Sequence, residues 1–409
     1  MRPKLELLAP AGNLEKLKTA VMYGADAVYV GAPGLSLRTR ASEMDFEQIR
    51  EGVAYAHDRG VKVYAALNIF PQNSDLSLIE ETIPRLVNKK VDAIVVSDPG
   101  VISIVKKVAP SLEIHLSTQA NTTNIEAVRF WAKNGIKRIV LARELSLTEI
   151  AQIAQNVDHV DIEVFAHGAM CIAYSGRCIL SSYMTGRPSN RGECSHPCRW
   201  EYYLKETTRK EPLIIEEDEH GTYIMNSKDL CLIEHLPLII ESNIRTIKIE
   251  GRMKSAYYVA LVTNIYRQAI DEYYKDPDNY KCKPEWIAEL HNVSNRGYST
   301  GFYFGAPGPM DHNYINSSYN KNYDFVGLVA GSSTDKSTVK ISVRNHIVAS
   351  DELEVLLPEG GTPYIIGANK IKDAHGKHLD AAHNTYEVFV DVDKELPEGS
   401  VIRRKARKK

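Results

Sequence analysis

Eight short apolar runs dominate the first 250 residues: LELLAP (5–10), AVYVG (27–31), VKVYAALN (61–68), AIVVSD (93–98), EIHLSTQ (113–119), RIVLARE (138–144), IEVFAHG (162–168) and TIKIEG (246–251). Each is continuous rather than alternating, the pattern of strands buried on both faces of a parallel sheet. Helical patterns separate them. In NLEKLKTAVMYGA, Asn13 can cap a helix, Leu14, Leu17, Ala20 and Val21 form one face, and Gly24 ends it. Eight strand–helix units predict a (β/α)8 TIM-like barrel. A doubly wound open sheet is the competing layout, but the Gly-rich phosphate turn that often follows its first strand is missing.

Function in such barrels gathers where the strands end. Those ends read Pro10, Gly31, Asn68, Asp98, Ser117 with Gln119, Arg143, His167, and Glu250 with Arg252, as polar as a pocket floor should be. The seventh connection is anomalous, because residues 169–245 lie between two runs where a handful of residues plus one helix would suffice. This insertion holds four of the six cysteines, Cys171, Cys178, Cys194 and Cys198, spaced C-x6-C-x15-C-x3-C. Four thiolates in one loop-rich segment can wrap a metal. Zinc ribbons favour paired C-x2-C knuckles, whereas an iron–sulfur cube accepts looser spacings, so both remain open on spacing alone. His167 and His196 are conceivable replacement ligands, Cys231 a spare one, and Cys282 a bystander. Arg177, Arg187, Arg191 and Arg199 in the insertion, with Lys248, Arg252 and Lys254 beside the eighth strand end, suit an anionic substrate. The alternative is salt bridging to Glu163, Glu193 and Glu250. Neither H-E-x-x-H nor G-x-S-x-G occurs.

The expected organisation is a catalytic domain over 1–300 that includes the Cys-containing insertion 169–245, a Gly/Pro/Asn-rich linker over 301–322, and a small antiparallel β-barrel over 323–409 built from TVKISV, DELEVLL, YEVFVDV and GSVIRR. The formal net charge of −2 argues against a generic nucleic-acid glue, although RRKARKK (403–409) is either a basic tail able to reach a phosphate backbone or a solvated end. No apolar run suits a signal peptide or a bilayer span, so a cytoplasmic home with reduced thiols and no membrane partner is expected.

The motif EVFAHGAMCIAYSGRCILS (163–181) closely resembles the signature of the U32 peptidase family, the so-called collagenase-like proteases. LLAPAG (7–12), IHLSTQANTTN (114–124), NRGECSHPCRWEY (190–202), MNSKDLCLIEHLP (225–237) and KIEGRMKS (248–255) extend the likeness over most of the chain. The resemblance implies a (β/α)8-type catalytic domain and a 4Fe–4S cluster on Cys171, Cys178, Cys194 and Cys198, with zinc the lesser alternative. It also implies oxygen-independent hydroxylation, as in branches acting on ubiquinone precursors, ribosomal RNA or the wobble uridine of tRNA, the last using prephenate. The C-terminal β-module is most similar to the tRNA branch. That implies tRNA and a small dicarboxylate as partners, and leaves room for a paralogue or an electron-transfer partner. Arg143, Arg177 and Arg252 become candidates for the carboxylates of prephenate, Asn68 for substrate binding, and His115, Ser117, Gln119 and His167 for orienting donor or base. A peptidase, or a hydroxylase of ribosomal RNA or a quinone precursor, is the alternative function.

Overall fold

The structure is a computed structural model and describes residues 4–36, 44–170, 178, 180–187, 195, 197, 203–204, 213–214, 216–218, 221–223, 228–305, 321–333 and 337–407. Eight strands form the barrel: β1 (Glu6–Pro10), β2 (Ala27–Gly31), β3 (Lys62–Ala66), β4 (Ala93–Val96), β5 (Glu113–Leu116), β6 (Arg138–Val140), β7 (Asp161–Gly168) and β8 (Thr246–Ile249). All neighbours run parallel, and β8 pairs with both β1 and β7, which closes the ring. Each of the eight apolar runs is therefore a barrel strand, and the open-sheet layout is excluded. The reason is burial: β1, β4 and β6 are buried at every position, with a helix layer outside and packed side chains within.

Local chemistry sets the helix starts. Asp45 and Ser146 form reciprocal capping boxes with Gln48 and Glu149. Asp98, at the end of the fourth run, is spent the same way. Its carboxylate accepts from the Val101 amide at 3.0 Å and starts the helix Pro99–Val108, so it is a cap rather than part of a pocket floor.

The segment after β7 does not stay outside the barrel throughout. Its end returns as the strand Asp229–Cys231, antiparallel to β7, with Leu230 opposite Gly168 and Cys231 opposite His167. Tyr298–Ser299 then pairs with Asp229–Cys231. A buried ion pair, Arg296 to Asp229 at 2.8 Å, holds this addition.

Two compact units divide the chain. One comprises residues 1–17, 26–253 and 295–319 and contains the barrel; the other comprises 18–25, 254–294 and 320–409. The second contains the helix Ala256–Lys275 and a six-stranded antiparallel sheet. Its strand order is Tyr364–Gly367, Glu352–Leu356, Val401–Lys405, Tyr323–Ser332, Thr338–Val343, Glu387–Asp391. The sheet curls as a half-barrel over a core that includes Val339, Ile341, Val355, Val390 and Ile402. Register shifts at Phe325/Gly327 and Val329/Gly331 bend the long strand Tyr323–Ser332 and supply the curl.

The basic C-terminal stretch is not an arm. Arg403 and Arg404 lie within the strand Val401–Lys405 and are only 1% and 5% exposed. Arg403 donates to Glu354 at 2.8 Å and to Glu289 at 2.5 and 3.0 Å, and its guanidinium lies 4.0 Å from the Tyr323 ring centroid. Arg404 and Arg407 both donate to Asp351 at 2.8 Å. The expectation of a phosphate-reaching tail is thus corrected for Arg403, Arg404 and Arg407: acidic neighbours on both faces of the sheet neutralise these charges. Replacing Arg403 with Ala strands the carboxylates of Glu289 and Glu354 and should destabilise this unit by about 3 kcal/mol or more in urea titration. The half-exposed Arg407 should cost no more than about 1 kcal/mol when replaced by Ala.

Candidate active site at the barrel mouth

The barrel interior is charged below its mouth. Glu163 of β7 is buried, with the Lys248 ammonium 2.9 Å and the Arg138 guanidinium 3.6 Å away. Arg138 also donates to Glu6 of β1, to which the Tyr64 hydroxyl donates at 3.1 Å. Burial alone would push the Glu163 carboxyl up, but Lys248 and Arg138 outweigh it and hold the group below the ordinary carboxylate range. Lys248, expected from sequence among the anion-binding residues, is occupied here. The alternative of salt bridging holds for it.

His115 belongs to the same layer rather than to the mouth. Its ring packs edge-on to Tyr64 at 4.6 Å between centroids, and Nε2 lies 2.9 Å from Glu113, toward the start of β5. Burial pushes the imidazole down, the Glu113 hydrogen bond opposes this, and Arg138 adds to the fall, so the ring is neutral at pH 7.

Asn68, Ser117 and Gln119 do converge at the mouth. The Asn68 amide donates to Gln119 Oε1 at 2.8 Å, and the Ser117 hydroxyl donates to the same oxygen at 2.9 Å. Arg252 joins them through Ser36, its NH1 donating to Ser36 Oγ at 2.7 Å. Two glycines make room for Arg252: a Cβ on Gly12 would sit 2.1 Å from its carbonyl oxygen, and one on Gly31 would sit 2.7 Å from NH1. The LAPAG and AVYVG glycines are therefore requirements of this arginine's position. Arg143 stacks 3.8 Å above the Phe165 ring and stands 3.9 Å from Glu250, too long to consume its donors. Glu250 in turn lies 3.5 Å from the Tyr29 hydroxyl. His167 is buried in β7 and packs against Tyr298 with ring centroids 5.2 Å apart. Sequence reasoning missed Tyr29, Ser36, Ser97, Thr122 and Phe165. Tyr29 and Phe165 had a signal, being bulky residues at alternate positions of recognised strands; Ser36 had none.

Of the four cysteines, Cys171, Cys194 and Cys198 lie outside the described residues, as do Arg177, Arg191 and Arg199. Cys178 is half-buried, and its sulfur accepts from the Leu180 amide at 3.4 Å. Ser181, at the start of the helix Leu180–Thr185, meets Ser195: its Oγ is 2.9 Å from Ser195 Oγ and accepts from the Ser195 amide at 3.0 Å. Thr185 Oγ1 lies 2.9 Å from Ser195 Oγ as well. These hydrogen bonds hold the helix Leu180–Thr185 against Ser195. Among the described residues no group of three or more His, Cys, Asp or Glu side chains is placed to hold a metal.

The fold is a (β/α)8 barrel, a class of protein whose enzymes gather their chemistry at the C-terminal ends of the strands, where the residues above converge. Residues 12–313 match the model of Peptidase family U32, and residues 321–403 match that of the Peptidase family U32 C-terminal domain. The chain belongs to this family. It is 43% identical to the tRNA hydroxylation protein P1 of Bacillus subtilis, across 98% of this chain and 95% of that protein. It is 36% identical to the tRNA hydroxylation protein P of Escherichia coli, across 96% and 95%. A collagenase of Porphyromonas gingivalis is 34% identical over 76% of each. No helix among the described residues is long and apolar enough to cross a membrane.

Neutral His115 gives a pH signature. As pH falls below the ordinary imidazole value of 6.5, the unfolded chain gains a proton that the folded one resists. Stability should therefore be full above that value and decline on acidification toward the lowered one. Comparing urea midpoints across this window, His115→Gln should flatten the decline.

Proposed function

We propose that the protein hydroxylates the wobble uridine of tRNA to 5-hydroxyuridine without oxygen, using a 4Fe–4S cluster and prephenate as the hydroxyl donor. The observation that carries this reading is the end-to-end match, both domains included, to two relatives named as tRNA hydroxylation proteins. The collagenase likeness is shorter and weaker. The site also disfavours a serine peptidase, because the Ser117 hydroxyl donates to an amide oxygen rather than to an imidazole that could activate it.

The residues of the mouth support the chemistry. Arg143 and Arg252 offer planar donors to the carboxylates of a dicarboxylate, with Arg177 a third candidate. Phe165 holds the Arg143 guanidinium by stacking, and the ion-paired layer of Glu163 and Lys248 lies below. A wobble base is unpaired, so splaying it into a polar mouth costs little. Cys171, Cys178, Cys194 and Cys198 would hold the cluster, which supplies one-electron redox capacity when bound.

Two experiments test this. In a strain lacking the gene and any redundant paralogue, mass spectrometry of digested tRNA should show loss of 5-hydroxyuridine-type nucleosides. Cys282→Ala should restore them and Cys171→Ala should not; intact tRNA hydroxylation with altered ribosomal RNA or quinone would shift the substrate. Protein purified without oxygen should carry about four irons and four sulfides per chain. Stoichiometric zinc without sulfide would refute the cluster.

A further inference from the structure

A directed chain of hydrogen bonds runs across the mouth. A guanidinium can only donate, so Ser36 Oγ accepts from Arg252 NH1 at 2.7 Å. Ser36 Oγ donates in turn to Asn68 Oδ1, 3.4 Å away, the oxygen of that amide. The Asn68 nitrogen accordingly faces Gln119 and donates to Oε1 at 2.8 Å, where Ser117 donates as well at 2.9 Å. With Oε1 accepting twice, the Gln119 amide cannot turn over. Its Nε2 is left as a donor on the far side, buried in a residue only 3% exposed and with no hydrogen-bond partner among the described residues. Ser97 Oγ and Thr122 Oγ1, beyond the ends of β4 and β5, are buried without partners in the same sense. Unmet buried polar groups are costly and rarely persist without a reason, and a bound ligand supplies one.

We propose that Gln119 is a fixed hydrogen-bond donor to an acceptor oxygen of the substrate, with Arg252, Ser36 and Asn68 as the residues that set its polarity. This rests on the reading of the mouth as the active site. Two oxygens of the proposed reaction have the required chemistry: the 4-keto oxygen of a uracil ring and a carboxylate oxygen of the small co-substrate. In the first case Gln119 also selects the base, since cytosine presents an amino donor where uracil presents an acceptor. An amide fixed as donor meets the uracil edge and opposes the cytosine edge.

The test uses purified full-length protein and direct binding to two probes: anticodon stem-loops with uridine or cytidine at the wobble position, and prephenate. Gln119→Glu still accepts from Asn68 and Ser117 but puts an acceptor oxygen and a negative charge in place of the outward donor, so Gln119→Met, which removes the donor without adding charge, is measured beside it and must show the same loss. Its affinity for one probe should fall about tenfold to a hundredfold. Loss confined to the uridine stem-loop, with uridine-over-cytidine preference erased, assigns the donor to the base. Loss confined to prephenate assigns it to the carboxylate. Asn68→Asp keeps Gln119 but cannot donate to Oε1, so the amide turns and the same loss should follow, which covers the case of Gln119→Glu failing to fold. Wild-type affinities for both probes in either folded variant, or a wild-type protein that binds neither probe, would overturn the assignment. Loss of tRNA hydroxylation in the deletion strain is read separately. A wild-type gene that fails to restore the modification while these binding differences persist refutes the proposed reaction and leaves the donor standing.

Discussion

Glu163 sits where a (β/α)8 barrel ordinarily places a branched apolar side chain, and the interior is built around the need to keep it ionised. A carboxylate removed from water is tolerated only with cations and hydrogen bonds in close range. Lys248 from the adjacent β8 and Arg138 from the adjacent β6 meet that need from either side. Arg138 then requires Glu6, and Glu6 engages Tyr64, so the requirement spreads from β7 around much of the ring. Mutual neutralisation ties the register of these strands to one another. A slip of one residue would turn a charge of this set out of the interior and leave its partner unmatched.

This layer also decides what the mouth is free to do. By occupying Lys248 and His115 it takes two of the more reactive side chains out of the pocket. What remains above is a set of amides and hydroxyls together with Glu250 and His167, flanked by Arg143 and Arg252. Such a surface recognises oxygen-rich ligands by hydrogen bonds.

Much of the barrel was legible in the sequence, because strands buried on both faces leave continuous apolar runs and their ends mark the pocket. Asn68, Ser117 and Gln119 were found this way and stand together. Asp98 and His115 occupy similar positions in the sequence, yet one caps a helix and the other points toward the strand start. Position alone does not separate these fates; the neighbours do. Ser36 lies in a loop with no periodicity, and its importance comes from Arg252, 216 residues later. The strand Asp229–Cys231, three residues long, is too short to show any period. Arg403 and Arg404 resemble a solvated tail because their partners Glu289, Glu354 and Asp351 lie 49 to 114 residues earlier.

The place of Val401–Lys405 within the six-stranded sheet bears on synthesis. This strand lies between Glu352–Leu356 and Tyr323–Ser332, joining a two-strand ribbon to a three-strand one, yet it follows the other five strands in the sequence. A ribosome making the chain from its first residue releases both ribbons before the piece that unites them. Until then Glu354 and Asp351 lack their arginines, and two backbone edges stand open to pairing with other chains. Protection during that interval falls to charge on the waiting edges, where Asp324, Glu352 and Glu354 disfavour association between nascent copies.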